Sequence, residues 1–149
     1  MHNWFECKVK YDKTGEDGLI KSITEAYLVD AISFTEAERR ITIEMKPYIT
    51  GEFLLANVKR VKIAEMFTDA SGDRWYRCKV MFVSLDEEKG VEKRIPSFMY
   101  VQAADIKSAL DNLLEGMKNT LSDYEIASIS ETAIMDVFPY AAIESTPNP

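Results

Sequence analysis

The residues best suited to chemistry lie in two stretches that resemble each other. Trp4-Phe5-Glu6-Cys7-Lys8-Val9-Lys10-Tyr11 aligns with Trp75-Tyr76-Arg77-Cys78-Lys79-Val80-Met81-Phe82. Every second residue of a strand shares a face. Trp4, Glu6, Lys8 and Lys10 therefore fall on one face, and Trp75, Arg77, Lys79 and Met81 on the matching one, with Tyr100 and Gln102 on the same side. Aromatic rings interleaved with bases on an open sheet form a platform for single-stranded nucleic acid, at ~1–3 kcal/mol per stacked base. An uncovered aromatic face equally marks a protein interface, including a homodimer. A purely structural reading also stands, in which the indoles cap the sheet ends and the bases pair with Glu6 and its neighbours.

Charge argues against duplex DNA as the partner. Lys+Arg number 18 against Asp+Glu 25, a net charge of −7. A field of that sign repels phosphate polymers beyond a local basic strip.

Other chemistries find little support. Cys7 and Cys78 occupy aligned positions on the inward faces of their strands and read as two buried free thiols. A bridge between them would need their Cα atoms within about 7 Å. A nucleophilic role would need a base, and the single histidine, His2, lies at the chain start. Glu65 and Asp136 align with each other in phase with apolar neighbours; a paired acid–base site would need them close together, and strand-end positions explain them more simply. Phosphate-cradling glycine loops, serine elbows and zinc-ligand spacings are absent, so neither an enzyme nor a metal or other cofactor is expected.

The elements that hold these residues repeat. Val29, Ala31, Ala37, Met45 and Lys46 align with Val101, Ala103, Ala109, Met117 and Lys118. Phe53, Ala56, Ile63 and Phe67 align with Tyr124, Ala127, Ile134 and Phe138. Each copy reads as strand, strand, helix, strand. Second strands are predicted over residues 19–30 and 91–102, with Pro96 requiring an edge or a bulge. Ser33-Phe34-Thr35-Glu36 is a capping box, and Asp105 caps the second helix. Phe34, Ala37, Ile41 and Met45 form a stripe for the core; Ile106, Ala109, Leu113 and Met117 repeat it, thickened by Leu110 and Leu114. In the last strand of each copy, the alternation steps by three near Lys59-Arg60 and Ser130-Glu131, which predicts a bulge or bend there.

The expected fold is α+β. It is a tandem duplication of a β-β-α-β unit with pseudo-twofold symmetry, the helices on one face of an antiparallel sheet and a shared core. One domain over residues 1–140 contains repeats 4–67 and 75–138, and residues 141–149 form a Pro/Ser/Asn-rich disordered tail. No apolar run approaches the ~18 residues of a membrane span, so no membrane association is expected.

The opening Trp-Phe-Glu-Cys-Lys-Val, Tyr27-Leu28-Val29-Asp30-Ala31, Ser33-Phe34-Thr35-Glu36-Ala37-Glu38, Val101-Gln102-Ala103-Ala104-Asp105 and Ile134-Met135-Asp136-Val137-Phe138-Pro139-Tyr140 carry a resemblance. The chain resembles a small family of gut-type bacteria and their phages known only as a domain of unknown function. The resemblance implies a stand-alone soluble cytoplasmic protein with a link to mobile elements, and it brings no activity or catalytic residue. The expected function is a non-enzymatic interaction protein, self-associating or bound to another protein through Trp4, Lys8, Lys10, Trp75, Arg77, Lys79 and Tyr100. The alternative is a single-stranded nucleic-acid accessory protein.

Overall fold

A computed structural model describes residues 3–139; His2 and the tail expected to be disordered lie outside the described residues. The class is α+β, with eight strands and two helices. They run β1 (Asn3–Thr14), β2 (Ile20–Ala31), α1 (Phe34–Met45), β3 (Phe53–Val61), β4 (Glu65–Phe67), β5 (Arg74–Asp86), β6 (Val91–Ala103), α2 (Ile106–Gly116), β7 (Tyr124–Glu131) and β8 (Ile134–Phe138).

The strands form two four-stranded sheets, ordered β3-β1-β2-β8 and β4-β6-β5-β7. Both sheets are mixed, which corrects the antiparallel expectation. The hairpins β1–β2 and β5–β6 and the pairings β1–β3 and β5–β7 are antiparallel, whereas β2–β8 and β4–β6 are parallel. Only the antiparallel neighbours can be linked by short turns. The parallel strands arrive from elsewhere in the chain. β4 follows β3 in sequence but pairs in the second sheet, and β8 follows β7 but pairs in the first. The chain accordingly divides into two compact units, one of residues up to Lys62 and from Ala133 on, the other Ile63–Thr132.

That crossing explains the phase break at the end of each copy. The predicted long last strand is two strands, and the step near Lys59-Arg60 and Ser130-Glu131 precedes the point where the chain leaves one sheet for the other. A true irregularity also exists, but earlier. Lys8 faces Asn57 while Val9 faces Leu55, leaving Ala56 as the extra residue; Lys79 faces Ser128 while Val80 faces Ile126, leaving Ala127. The residues packed on the cores are consequently Phe53, Leu55 and Val58, and Tyr124, Ile126 and Ile129. The step of three falls inside each strand because a bulge turns the following side chains to the other face.

Each unit has its own core beneath its helix. Phe5, Cys7, Val9, Tyr27 and Val29 meet Ala37, Ile41 and Met45 in the first. Tyr76, Cys78, Val80, Met99 and Val101 meet Ala109, Leu113 and Met117 in the second. Pro96 sits opposite Met81, and β4 flanks β6 only from Met99 to Val101, so the proline meets no neighbour that needs its missing N–H. The helix starts are capped as the sequence indicates. The Ser33 hydroxyl accepts from the Glu36 amide at 3.1 Å and the Asp105 carboxylate from the Ser108 amide at 2.8 Å. Glu36 reaches back to the amide of Ile32 rather than that of Ser33.

A polar helix residue ties down the chain beside each parallel strand. Arg40, buried in α1, donates to the carbonyls of Asp30 and Pro139, the second at 3.2 Å. Asn112 on α2 donates to the Gln102 carbonyl at 3.0 Å and to the Asp69 carboxylate at 2.9 Å. The Gln102 side chain clasps the same loop, accepting from the Asp69 amide and donating to the Gly72 carbonyl, both at 3.0 Å. The Ser71 hydroxyl, the Asn112 side-chain amide and the Ser71 backbone amide all donate to the Asp69 carboxylate and hold its carboxyl below the usual range. Gly72 is buried against β6, where an added Cβ would lie 2.4 Å from the backbone carbon of Ala103. Gly72→Ala is therefore expected to cost about 1–3 kcal/mol, because backbone rather than a flexible side chain must move. A urea midpoint unchanged from the parent would show that the loop relaxes freely.

Candidate functional site

The sheet faces turned away from the helices are less open than the expected platform requires. In the first unit, Trp4, Glu6 and Lys8 are half-buried and only Lys10 is exposed. Leu28 and Ala26, opposite Glu6 and Lys8 on that face, are 0% and 5% exposed. Glu6 pairs with Lys59 of β3 at 3.3 Å rather than with Lys8 or Lys10. In the second unit, Trp75 and Tyr100 are 4% and 6% exposed. Lys79 is half-buried. Arg77 is exposed, but its guanidinium lies 4.0 Å from the centre of the Phe98 ring and covers it. The alternation assigns the face correctly. It does not reveal that apolar residues from neighbouring strands share that face and are themselves buried.

The outer surface of α2 departs most clearly from expectation. Leu110 and Leu114, assigned to the core, are 37% and 44% exposed, and Ile106 is 59% exposed. Ala109 and Leu113 fill the core side instead, and the four-residue spacing of Ile106, Leu110 and Leu114 makes a separate apolar stripe. The aligned positions on α1 are Phe34, Glu38 and Thr42. Phe34 is also exposed, contrary to its core assignment, yet its ring meets Phe5 edge-on at 4.9 Å beneath Arg60. The middle of the α1 face is thus polar where that of α2 is leucine. The repeat alignment holds this signal: a core position has no reason to be Glu in one copy and Leu in the other.

The two cysteines are free and lie in the cores. Burial pushes the Cys7 thiol up to about 12, with smaller contributions from the charges of Glu38 and Glu6, and burial alone pushes Cys78 up to about 11. A thiol held protonated is a poor nucleophile. Both values exceed the ordinary 9.0, so the folded state disfavours the thiolate more than the unfolded chain does. The resulting stability is complete below pH 9 and is lost as pH rises through the folded values. Iodoacetamide at pH 8 is expected to leave both thiols of the native protein unmodified and to label both in urea. Rapid native labelling would show that these strands open readily.

Glu65 and Asp136 are both exposed, Glu65 at the start of β4 and Asp136 in the middle of β8. Among the described residues no cluster of three His, Cys, Asp or Glu side chains is arranged to hold a metal ion. A cleft of about 600 Å³ lies in the first unit at the end of α1 and the start of β3.

No curated protein and no solved structure matches the chain. The family model described as domain of unknown function DUF4494 matches residues 3–140. With the match spanning nearly the whole sequence, from the first strand through the last, the chain belongs to the DUF4494 family.

Proposed function

We propose that this is a non-enzymatic interaction protein that self-associates through the outer face of α2. The observation that carries this reading is the stripe Ile106, Leu110 and Leu114, exposed on a helix whose other face already fills a core. The occupant is a second copy, and charge complementarity favours it. With two α2 helices antiparallel about a twofold axis at Leu110, the same flank of each helix meets its counterpart. Lys107 of one copy then falls between Asp111 and Glu115 of the other. One helix face is small beside the ~800 Å² per partner of a standard interface, so the dimer is weak and concentration-dependent. Sedimentation velocity across micromolar concentrations tests this, with a monomer–dimer equilibrium expected. A monomer throughout overturns it.

We also infer that the chain arose by tandem duplication of a β-β-α-β unit and that the last strands have changed places between the copies. Support comes from matching sheet orders, side-chain caps at both helix starts and register shifts at aligned residues. Tight, salt-sensitive binding of a labelled single-stranded oligonucleotide would instead favour the nucleic-acid reading. The burial of Trp75 and Tyr100 counts against it, since stacking needs open rings.

A further inference from the structure

We propose that two copies of the chain exchange residues 65–139 about the hinge Lys62-Ile63-Ala64, so that the β8 of each completes the first unit of the other. The first unit is built from two separate pieces of chain, residues up to Lys62 and residues from Ala133 on, whereas the second is one continuous piece, Ile63–Thr132. Only the hinge residues between β3 and β4 join the first piece to everything that follows. Opening that hinge and closing on a second copy leaves every pairing within each sheet in place. β2 still meets a β8, Ala26 against Ile134 and Val29 against Phe138. An exchange that keeps the native contacts of both units costs little beyond the entropy of association.

The composition of the hinge favours the open form. Chain reversals normally draw on Gly, Pro, Asn or Asp. The two hairpin turns each carry a glycine in the left-handed region, Gly18 and Gly90. From Val58 to Phe67 none of those four residue types occurs, although the chain bends at Ala64 and passes from one sheet to the other within this stretch. Val61 and Ile63 are β-branched, and Val61, Ile63, Glu65 and Phe67 keep a period of two through the hinge. Local preference there is for extended chain. In the exchanged form β3 and β4 run on as one strand from Phe53 to Phe67. A short hinge that resists turning invites such swapping. Separating the copies again requires each β8 to leave β2, undoing the Phe138–Tyr27 stack at 5.9 Å and the Arg40 bond to the Pro139 carbonyl. The exchanged dimer is therefore long-lived, unlike the weak contact at α2, on which it does not depend.

The test uses the full chain carrying Leu110→Glu, in which the α2 stripe is interrupted. It is unfolded in urea and refolded at rising protein concentration, and the products are separated by size exclusion with light scattering. A dimer fraction that grows with refolding concentration is expected, and the isolated dimer should stay intact for hours after dilution. Inserting Gly-Ser-Gly-Ser between Lys62 and Ile63 in the same background lets the hinge turn freely and should lower the dimer yield severalfold. Monomer at every refolding concentration overturns the proposal. So does a dimer that falls apart promptly on dilution, or one that forms equally well with the insertion. Because α2 is already disabled, these outcomes are separate from the fate of the α2 contact.

Discussion

A chain ending at Thr132 is expected to lose the fold of residues 3–62 while keeping that of residues 63–132. The expectation runs against sequence order, in which the last strand completes the second copy. β8 pairs with β2 in the first sheet, Ala26 facing Ile134 and Val29 facing Phe138. Phe138 stacks on Tyr27 with ring centres 5.9 Å apart, and Ile134 is 5% exposed. Pro139 supplies the carbonyl that the buried Arg40 guanidinium engages. Deleting the strand removes two large apolar side chains at ~1.5–3 kcal/mol each. It also bares the edge of β2 and takes one of Arg40's acceptors. Together these approach the ~5–15 kcal/mol that holds a domain folded. The second unit keeps its own parallel strand, β4, so its core beneath α2 stays closed. Hydrogen exchange separates the outcomes: amides of β1, β2 and β3 should lose protection and those of β5 and β6 should keep it. A second chain ending at Pro139 controls for the tail and should match the parent. Loss of protection in β5–β7 would mean that β8 serves the second sheet after all.

That result turns on a feature the sequence does not display. Strand existence, alternation and helix caps are local properties, fixed by residues a few positions apart, and they were legible: Phe5, Cys7 and Val9 against Trp4, Glu6 and Lys8, or Ser33 before Glu36. Which sheet a strand joins is decided by long-range pairing. Ile63 and Ile134, or Phe67 and Phe138, are alike in the two copies, so pattern alone cannot choose between them. The bulges at Ala56 and Ala127 were masked for a related reason. Leu54, Ala56 and Val58 look like one alternating face, but Leu54 and Ala56 are exposed, and Phe53 and Leu55 carry the packing. Small and aliphatic residues are tolerated on either face of an edge strand, so hydrophobicity underdetermines the phase there.

The candidate surfaces divide along the same line. Period-two alternation located Trp4 and Trp75 on the correct face, but burial depends on what lies over that face, and Trp75 is covered. Period-3.6 spacing placed Leu110 and Leu114 on the core stripe of α2. A stripe of that width is common in core helices. Here Ala109, Leu113 and Met117 suffice, and the leucines extend past the contact. The cleft was invisible in the sequence because Tyr11, Lys46 and Phe53 come from three elements whose approach is a tertiary property.

Leu110→Glu is expected to abolish self-association while leaving the monomer folded. Leu110 sits at the centre of the exposed stripe, so a twofold contact through α2 places the two introduced carboxylates against each other. Burying an uncompensated charge at an interface costs about 3–5 kcal/mol, more than a hundredfold in the dimer constant. The same change in the isolated chain replaces a partly exposed side chain beside solvent, and substitutions there usually stay within about 0.5 kcal/mol. The thermal midpoint at low concentration should therefore hardly move, whereas Leu113→Asp, three residues along on the buried side of the same helix, should unfold the second unit. The converse change tests whether the leucines are sufficient. Glu38→Leu with Thr42→Leu gives α1 the apolar middle that α2 has, so each chain gains a second adhesive helix. Two such faces on one chain allow open-ended assembly, and species larger than a dimer should appear in sedimentation. Retained dimerisation in Leu110→Glu, with a normal melt, would exclude α2 as the contact and favour one through the exposed Lys10 and Arg77 on the sheet faces.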